Sequence, residues 1–156
     1  MKTLLIAMLS FVLLGSLAII VHTHAAQSED IEREAVKQAV LDYVEGVYEV
    51  DPTRIERSVH PDLAKRGFYV KRGESNYSSS PMTFAELVNL AKTYNKTGRV
   101  AKGAPKEVIV FDVLDQTASA KLVASWGVDY LHLAKYDGRW KIVNVLWQSA
   151  PQTPSR

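Results

Sequence analysis

Trp126–Gln148, WGVDYLHLAKYDGRWKIVNVLWQ, is the stretch whose reading decides the fold. Two runs of alternating side chains flank a single Asp137–Gly138 pair. A type I′ turn needs positive φ at both central residues, so Asp-Gly between alternating runs predicts a two-residue β-hairpin. The turn sets the register. Tyr136 faces Arg139; further in, Leu133 opposes Ile142, Leu131 opposes Asn144 and Asp129 opposes Leu146, these six on one face because successive residues alternate. The opposite face carries Val128, Tyr130, His132, Val143, Val145 and Trp147, which is too aromatic and β-branched for a solvated surface.

Working back toward the N-terminus, Glu107–Leu114 and Thr117–Ala124 read as a second strand pair. Its weaker Asp115-Gln116 turn puts Ile109, Phe111, Val113, Ala118, Ala120, Leu122 and Ala124 on the inward face. Asn95 to Lys106 reads as a linker. Thr83-Phe84-Ala85-Glu86 is a capping-box pattern that opens a helix through about Tyr94. Arg72 to Pro81, with Ser78 to Ser80, reads as a polar loop, and Gly67 to Lys71 as a short strand containing Phe68. Asp51-Pro52 predicts an N-cap and first helical residue, with His60-Pro61 as the stop and Leu63 in a turn. From Ser28, Ile31, Ala35, Val36, Val40, Tyr43, Val44 and Val47 recur at helical spacing. Helices first and a long antiparallel meander afterwards give an α+β domain, with N-terminal helices packed on a strongly curved antiparallel β-sheet.

Asp129 and Asn144 are the anomalies on the inward aliphatic face. A buried carboxylate must be paired, hydrogen-bonded or shifted in pKa. Two roles are open: Asp129 accepts from Asn144 and a backbone or Tyr donor and fixes the core, or the pair lines a cavity and meets a ligand. Tyr43, on the buried helical stripe, has a hydroxyl that needs a partner. His60, at a helix end, either interacts with the helix dipole or partners Asp129 in acid/base chemistry. Asp129, His60 and Tyr43 are thus the candidate catalytic groups. With them, Phe68, Phe111, Leu131, Asn144 and Leu146 complete a candidate ligand pocket. Trp126, beside Gly127, sits at a turn and either caps the pocket mouth or packs.

Other chemistries find no pattern. There is no Cys, hence no disulfide and no lipid-attachment cysteine. His60 and His132 are the only histidines beyond the N-terminal segment, and no H-E-x-x-H is present, so no metal and no cofactor is expected. No G-x-S-x-G, P-loop or G-x-G-x-x-G occurs, which disfavours nucleophilic catalysis and nucleotide binding. The 19 basic and 17 acidic side chains are interspersed around a formal charge of +2, so no nucleic-acid footprint exists. Asn76-Tyr77-Ser78 and Asn95-Lys96-Thr97 fit the N-glycosylation pattern, which matters only in a eukaryotic secretory route.

The N-terminal residues Met1 to Ala26 combine Lys2, an apolar run from Leu4 to Val21 and a small-residue end at Ala25-Ala26. This reads as a secretory signal peptide, with an uncleaved anchor as the alternative. The expected organisation is a signal peptide at 1–26, a domain at 27–150 and a tail at 151–156. The protein is expected to be periplasmic or secreted, with no membrane contact after cleavage. Export without disulfides suits a bacterial envelope.

The residues also carry a resemblance. AVKQAVLDYVEGVYEVDPTRIERSVHPDLAKRGF (35–68) and ASAKLVASWGVDYLHLAKYDGRWKIVNVLW (118–147) resemble the Putative lumazine-binding family of the NTF2-like (SnoaL-like, ketosteroid isomerase-like) superfamily. The matching elements are Asp42-Tyr43, Gly46, Asp51, His60-Pro61, Val128 to Leu131 and Asp137 to Ile142. The resemblance implies a cone of helices on a bent antiparallel sheet, a pocket between them and a sheet-to-sheet homodimer through Tyr130, His132, Val143, Val145 and Trp147. It does not imply one function, because the superfamily hosts isomerases, dehydratases and non-catalytic binders. Three functions compete: an exported binder of a small apolar or aromatic molecule, a cofactor-independent isomerase or dehydratase with Asp129 as base, and a dimeric interaction module.

Overall fold

The computed structural model describes residues 27–71 and 73–150. The proposed signal peptide at 1–26 and the tail at 151–156 lie outside the described residues. Residues 27–48 are helical (α1). Those up to Glu34 belong to one unit, and Ala35 begins a second that holds all the remaining elements.

The second unit continues through α2 (Pro52–Ser58), β1 (Val59–Val70), β2 (Tyr77–Met82), α3 (Phe84–Ala91), β3 (Lys106–Val113), β4 (Thr117–Ala124), β5 (Gly127–Tyr136) and β6 (Arg139–Gln148). The helix starts are chemically determined. The Asp51 side chain accepts from the Thr53 amide with Pro52 at the first turn, and Thr83 and Glu86 form a complete capping box. α3 packs against α2 and β1.

The strands form one open six-stranded sheet in the order β2-β1-β6-β5-β4-β3. The Asp137–Gly138 turn takes positive φ at both residues, 49° and 74°, and pairs Tyr136 with Arg139 as expected. The sheet is mixed rather than wholly antiparallel, because β1 runs parallel to β6. Two sequence expectations give way here. The supposed helix stop at His60-Pro61 and turn at Leu63 begin the twelve-residue β1, in which pairing with β6 is interrupted between Val59 and Ala64, where Pro61 cannot donate. The supposed polar loop supplies β2, an edge strand paired with β1 whose side chains are alternately exposed and half-buried. Its composition hid it because an edge strand needs few apolar side chains.

β-Bulges change which side chains face inward. In β6 one extra residue, Val143, is inserted between the Leu133–Ile142 and His132–Asn144 pairs. Beyond it the register slips by one and every side chain changes face. Asn144 and Leu146 therefore turn outward, whereas Val145 is buried and Trp147 is partly buried inside. In β3 the extra residue is Phe111, so Ile109 and Phe111 are exposed while Val108, Val110 and Val113 pack against the core. The core proper is aliphatic: Val36, Val40, Val44, Val47, Ile55 and Leu87 from the helices meet Ala120, Leu122, Leu131, Leu133, Ile142 and Val145 of the sheet.

Candidate functional site

β5 keeps its expected face, and Asp129 is fully buried. Three elements converge on its carboxylate. Tyr43 of α1 donates its hydroxyl to Oδ2 at 2.9 Å, and Trp126 of the β4–β5 turn donates its indole N–H to Oδ1 at 2.8 Å. Lys65 of β1 lies 3.9 Å from Oδ2 and donates to the Tyr43 hydroxyl at 2.8 Å. The result is a chain, Lys65 to Tyr43 to Asp129, closed on the other side by Trp126. Trp126 is itself held edge-on by Tyr43, Tyr48 and Tyr94. The Tyr48 hydroxyl pins its turn by accepting from the Ser125 amide at 2.7 Å while donating to the Pro105 carbonyl.

Beside this chain lies a cavity of about 110 Å³ lined by Tyr43, Val47, Lys65, Met82, Leu87, Leu90, Tyr94, Trp126 and Trp147. Its walls are apolar and aromatic, and its ionisable wall residues are Lys65, Tyr43 and Tyr94. Asp129 is not in the wall; it stands behind Tyr43 and Trp126. The Lys65 ammonium sits 5.4 Å from the Tyr43 ring centroid and 5.5 Å from that of Trp147, within cation–π range. An ammonium has three donors, and among the described residues Lys65 donates one hydrogen bond, to Tyr43.

Burial dominates the electrostatics. It raises the Asp129 pKa against the opposing pull of Lys65, Trp126 and Tyr43. It lowers that of Lys65 against the attraction of Asp129. It also lifts Tyr43 well above the usual phenol value, with Asp129 adding to the effect. Both members of the Lys65–Asp129 pair thus shift toward neutrality, because desolvation at each end outweighs an attraction across 3.9 Å.

The other residues nominated from sequence lie elsewhere. His60 stacks on Tyr136 at 4.3 Å, and its Nδ1 accepts from the Asp62 amide. Tyr136 is seven residues from Asp129, roughly 23 Å along the strand at about 3.3 Å per residue, so the acid/base partnership of His60 with Asp129 is not formed. Asn144 meets His132 on the outer face at 3.3 Å instead of Asp129. Leu131 is core, and Phe68, Phe111 and Leu146 are exposed. Of the nominated set, the structure brings Tyr43 and Asp129 together. It adds Lys65 and Trp147, which the sequence reading left out of the pocket. The signal for Lys65 was present: Leu63, Lys65 and Gly67 alternate with Ala64, Arg66 and Phe68. A lysine at an inward position disguises that alternation.

The described residues contain no group of three or more His, Asp or Glu side chains placed to hold a metal ion. No described helix is long and apolar enough to cross a membrane.

A family model described as Putative lumazine-binding matches residues 31–148. The chain belongs to this family. No curated protein sequence matches it. An NTF2-like protein of unknown function from Shewanella baltica OS155 aligns with a TM-score of 0.54 at 17% identity, over 76% of this chain and 94% of that one. An NTF2-like protein with a cystatin-like fold from Novosphingobium aromaticivorans aligns at 0.57 and 13% identity, over 86% and 92% of the two chains. A protein from the same organism described as a Putative Scytalone Dehydratase aligns at 0.52 and 14% identity, over 84% and 92%. At these identities the likeness concerns the NTF2-like fold alone.

Proposed function

We propose that this NTF2-like protein binds a small, flat, largely apolar molecule in the cavity beside Lys65, with a hydrogen-bond acceptor of the ligand directed at the Lys65 ammonium. The observation that carries this reading is the composition of the cavity wall: aromatic and aliphatic side chains, with a buried ammonium that has donors to spare. That is the usual make-up of a ligand site, apolar walls with a few placed polar groups. A volume of about 110 Å³ is of the order of the ~150 Å³ cavities that hold one benzene ring. A bicyclic pteridine such as the lumazine of the family's name therefore seats one ring and extends past the partly exposed Met82, Leu90 and Tyr94. An uncharged acceptor suits the site better than an anion, since Asp129 already offsets the lysine charge.

Native mass spectrometry of the full chain purified from its host tests this reading. A copurified small molecule that is lost from Lys65→Met supports it. A ligand-free protein whose melting temperature no aromatic acceptor molecule raises contradicts it.

Two further parts of the reading concern its setting. A second copy covers the outer sheet face, where Ile109, Phe111, Tyr130 and Leu146 are exposed. Ile109, Lys121, Tyr130 and Leu146 form one cross-strand row there, and exposed apolar patches of this kind mark interaction surfaces. Val145 and Trp147, on the inner side, take no part in it. A dimer in light scattering that Tyr130→Glu converts to monomer fits; a monomeric parent chain does not. The Met1–Ala26 pattern supports export, and an N-terminus read from the mature protein near Ala26 is the expected mark of cleavage.

A further inference from the structure

We propose that the ligand of this cavity carries an aldehyde or ketone, and that Lys65 captures it as an imine. The inference rests on the binding reading above and names its substrate class. Lys65 has the three attributes such an amine needs. Lys65 lines a cavity of about 110 Å³, and its Nζ lies 5.4 Å and 5.5 Å from the ring centroids of Tyr43 and Trp147 in the same wall. It is nearly inaccessible otherwise, with a side-chain exposure of 5%. It is hydrogen-bonded to a hydroxyl placed for proton transfer, since the Tyr43 oxygen is 2.8 Å from Nζ. A lysine desolvated among apolar side chains is the usual form of an amine nucleophile, because the neutral form is the reactive one. Burial lowers the Lys65 pKa in that direction.

The step balances without a cofactor. Neutral Nζ forms a C–N bond to the carbonyl carbon. The nitrogen gives up a proton to the Tyr43 oxygen, and the Tyr43 hydroxyl, turning from Asp129 toward the new alkoxide, passes its own proton to the carbonyl oxygen. The carbinolamine then loses that oxygen as water, the second nitrogen proton leaves with it, and a C=N bond remains. Asp129, 2.9 Å beyond Tyr43, holds the hydroxyl in line and acts as a positioning residue. Trp126 fixes Asp129 in turn.

Benzaldehyde with sodium cyanoborohydride tests the proposal on the full-length protein at neutral pH, because hydride reduction turns a transient imine into a stable benzylamine. Peptide mapping by mass spectrometry then reports which lysine carries the benzyl group. The expected result is labelling at Lys65 ahead of the exposed Lys71, Lys92 and Lys96. Tyr43→Phe is expected to slow that labelling while saturable quenching of tryptophan fluorescence by benzaldehyde persists. Quenching with labels confined to exposed lysines overturns imine capture and leaves the binding reading standing. Neither quenching nor a Lys65 label overturns both.

Discussion

Asp129 shows what a single buried carboxylate demands of its surroundings. Both its oxygens accept hydrogen bonds from aromatic side chains, and a lysine stands within 3.9 Å. Replacing it by asparagine keeps the volume and the acceptor for Trp126, but presents an N–H₂ to the Tyr43 hydroxyl and removes the counter-charge of Lys65. Disrupting a buried ionic network by one partner costs about 3 kcal/mol, so urea unfolding of Asp129→Asn is expected to show a loss of that order; an unchanged midpoint contradicts the network. Asp42 of α1 titrates in the opposite sense. Asp42 receives two bonds of 2.7 Å from Arg57, which hold its carboxyl below the ordinary value. A depressed carboxylate contributes stability above its unfolded pKa, and that contribution disappears as pH falls through the folded value. Asp129, with a raised pKa, has the contrary sign: its cost is present above the folded value and is relieved as pH falls through it. Asp42→Asn is therefore expected to be less stable than the parent at pH 7, by about 2 kcal/mol. The gap should narrow as pH falls through the lowered folded value of Asp42. A constant gap across that range contradicts the pairing.

At the scale of elements, two glycines separate conformational from steric constraint. Gly138 has φ 74° and open space where a Cβ would go. Gly138→Ala is thus expected to cost only the left-handed backbone penalty, about 1 kcal/mol, with ligand binding intact. Gly67 pairs with Trp147 across the parallel β1–β6 register, and a Cβ there would lie 1.8 Å from the indole. Gly67→Ala is expected to displace Trp147 from the cavity wall and weaken ligand binding in a thermal-shift titration more than Gly138→Ala does. Equal effects from the two contradict the placement of Trp147. The hairpin turn, both helix caps and the four C-terminal strands were legible in the sequence because each is determined locally, by Asp137-Gly138, by Asp51-Pro52 and by Thr83 with Glu86. The bulges at Phe111 and Val143 were not. A strand with one inserted residue reads as an unbroken alternation, and only pairing with its neighbour reveals the slip. That slip exchanged Asn144 and Leu146 for Val145 and Trp147 in the interior, while Asp129, on the unbulged side of the pair, kept its place.

At the scale of the molecule, the unit from Ala35 onward buries a lysine, a tyrosine and an aspartate together, apart from the other buried polar side chains, Asp42 and Ser58. Lys65 and Tyr43 line the cavity and Asp129 stands behind them, whereas Ile142 and Leu133 lie in the hydrophobic core. The family and fold were readable from residues spread over 35–147, whereas the polar partner of Asp129 came from a strand whose pairing is parallel and distant in sequence. The three tryptophans report on the site separately: Trp126 and Trp147 line the cavity, and Trp140 is buried elsewhere, beneath Lys135. Their indole N–H resonances in a ¹H–¹⁵N spectrum, followed as a one-ring carbonyl compound is added, test the binding site most directly. Saturable shifts of Trp126 and Trp147 with Trp140 unmoved are the predicted result. Trp126 and Trp147 resonances that stay in place, or shifts confined to Tyr130, His132 and Leu146 of the outer face, would contradict it.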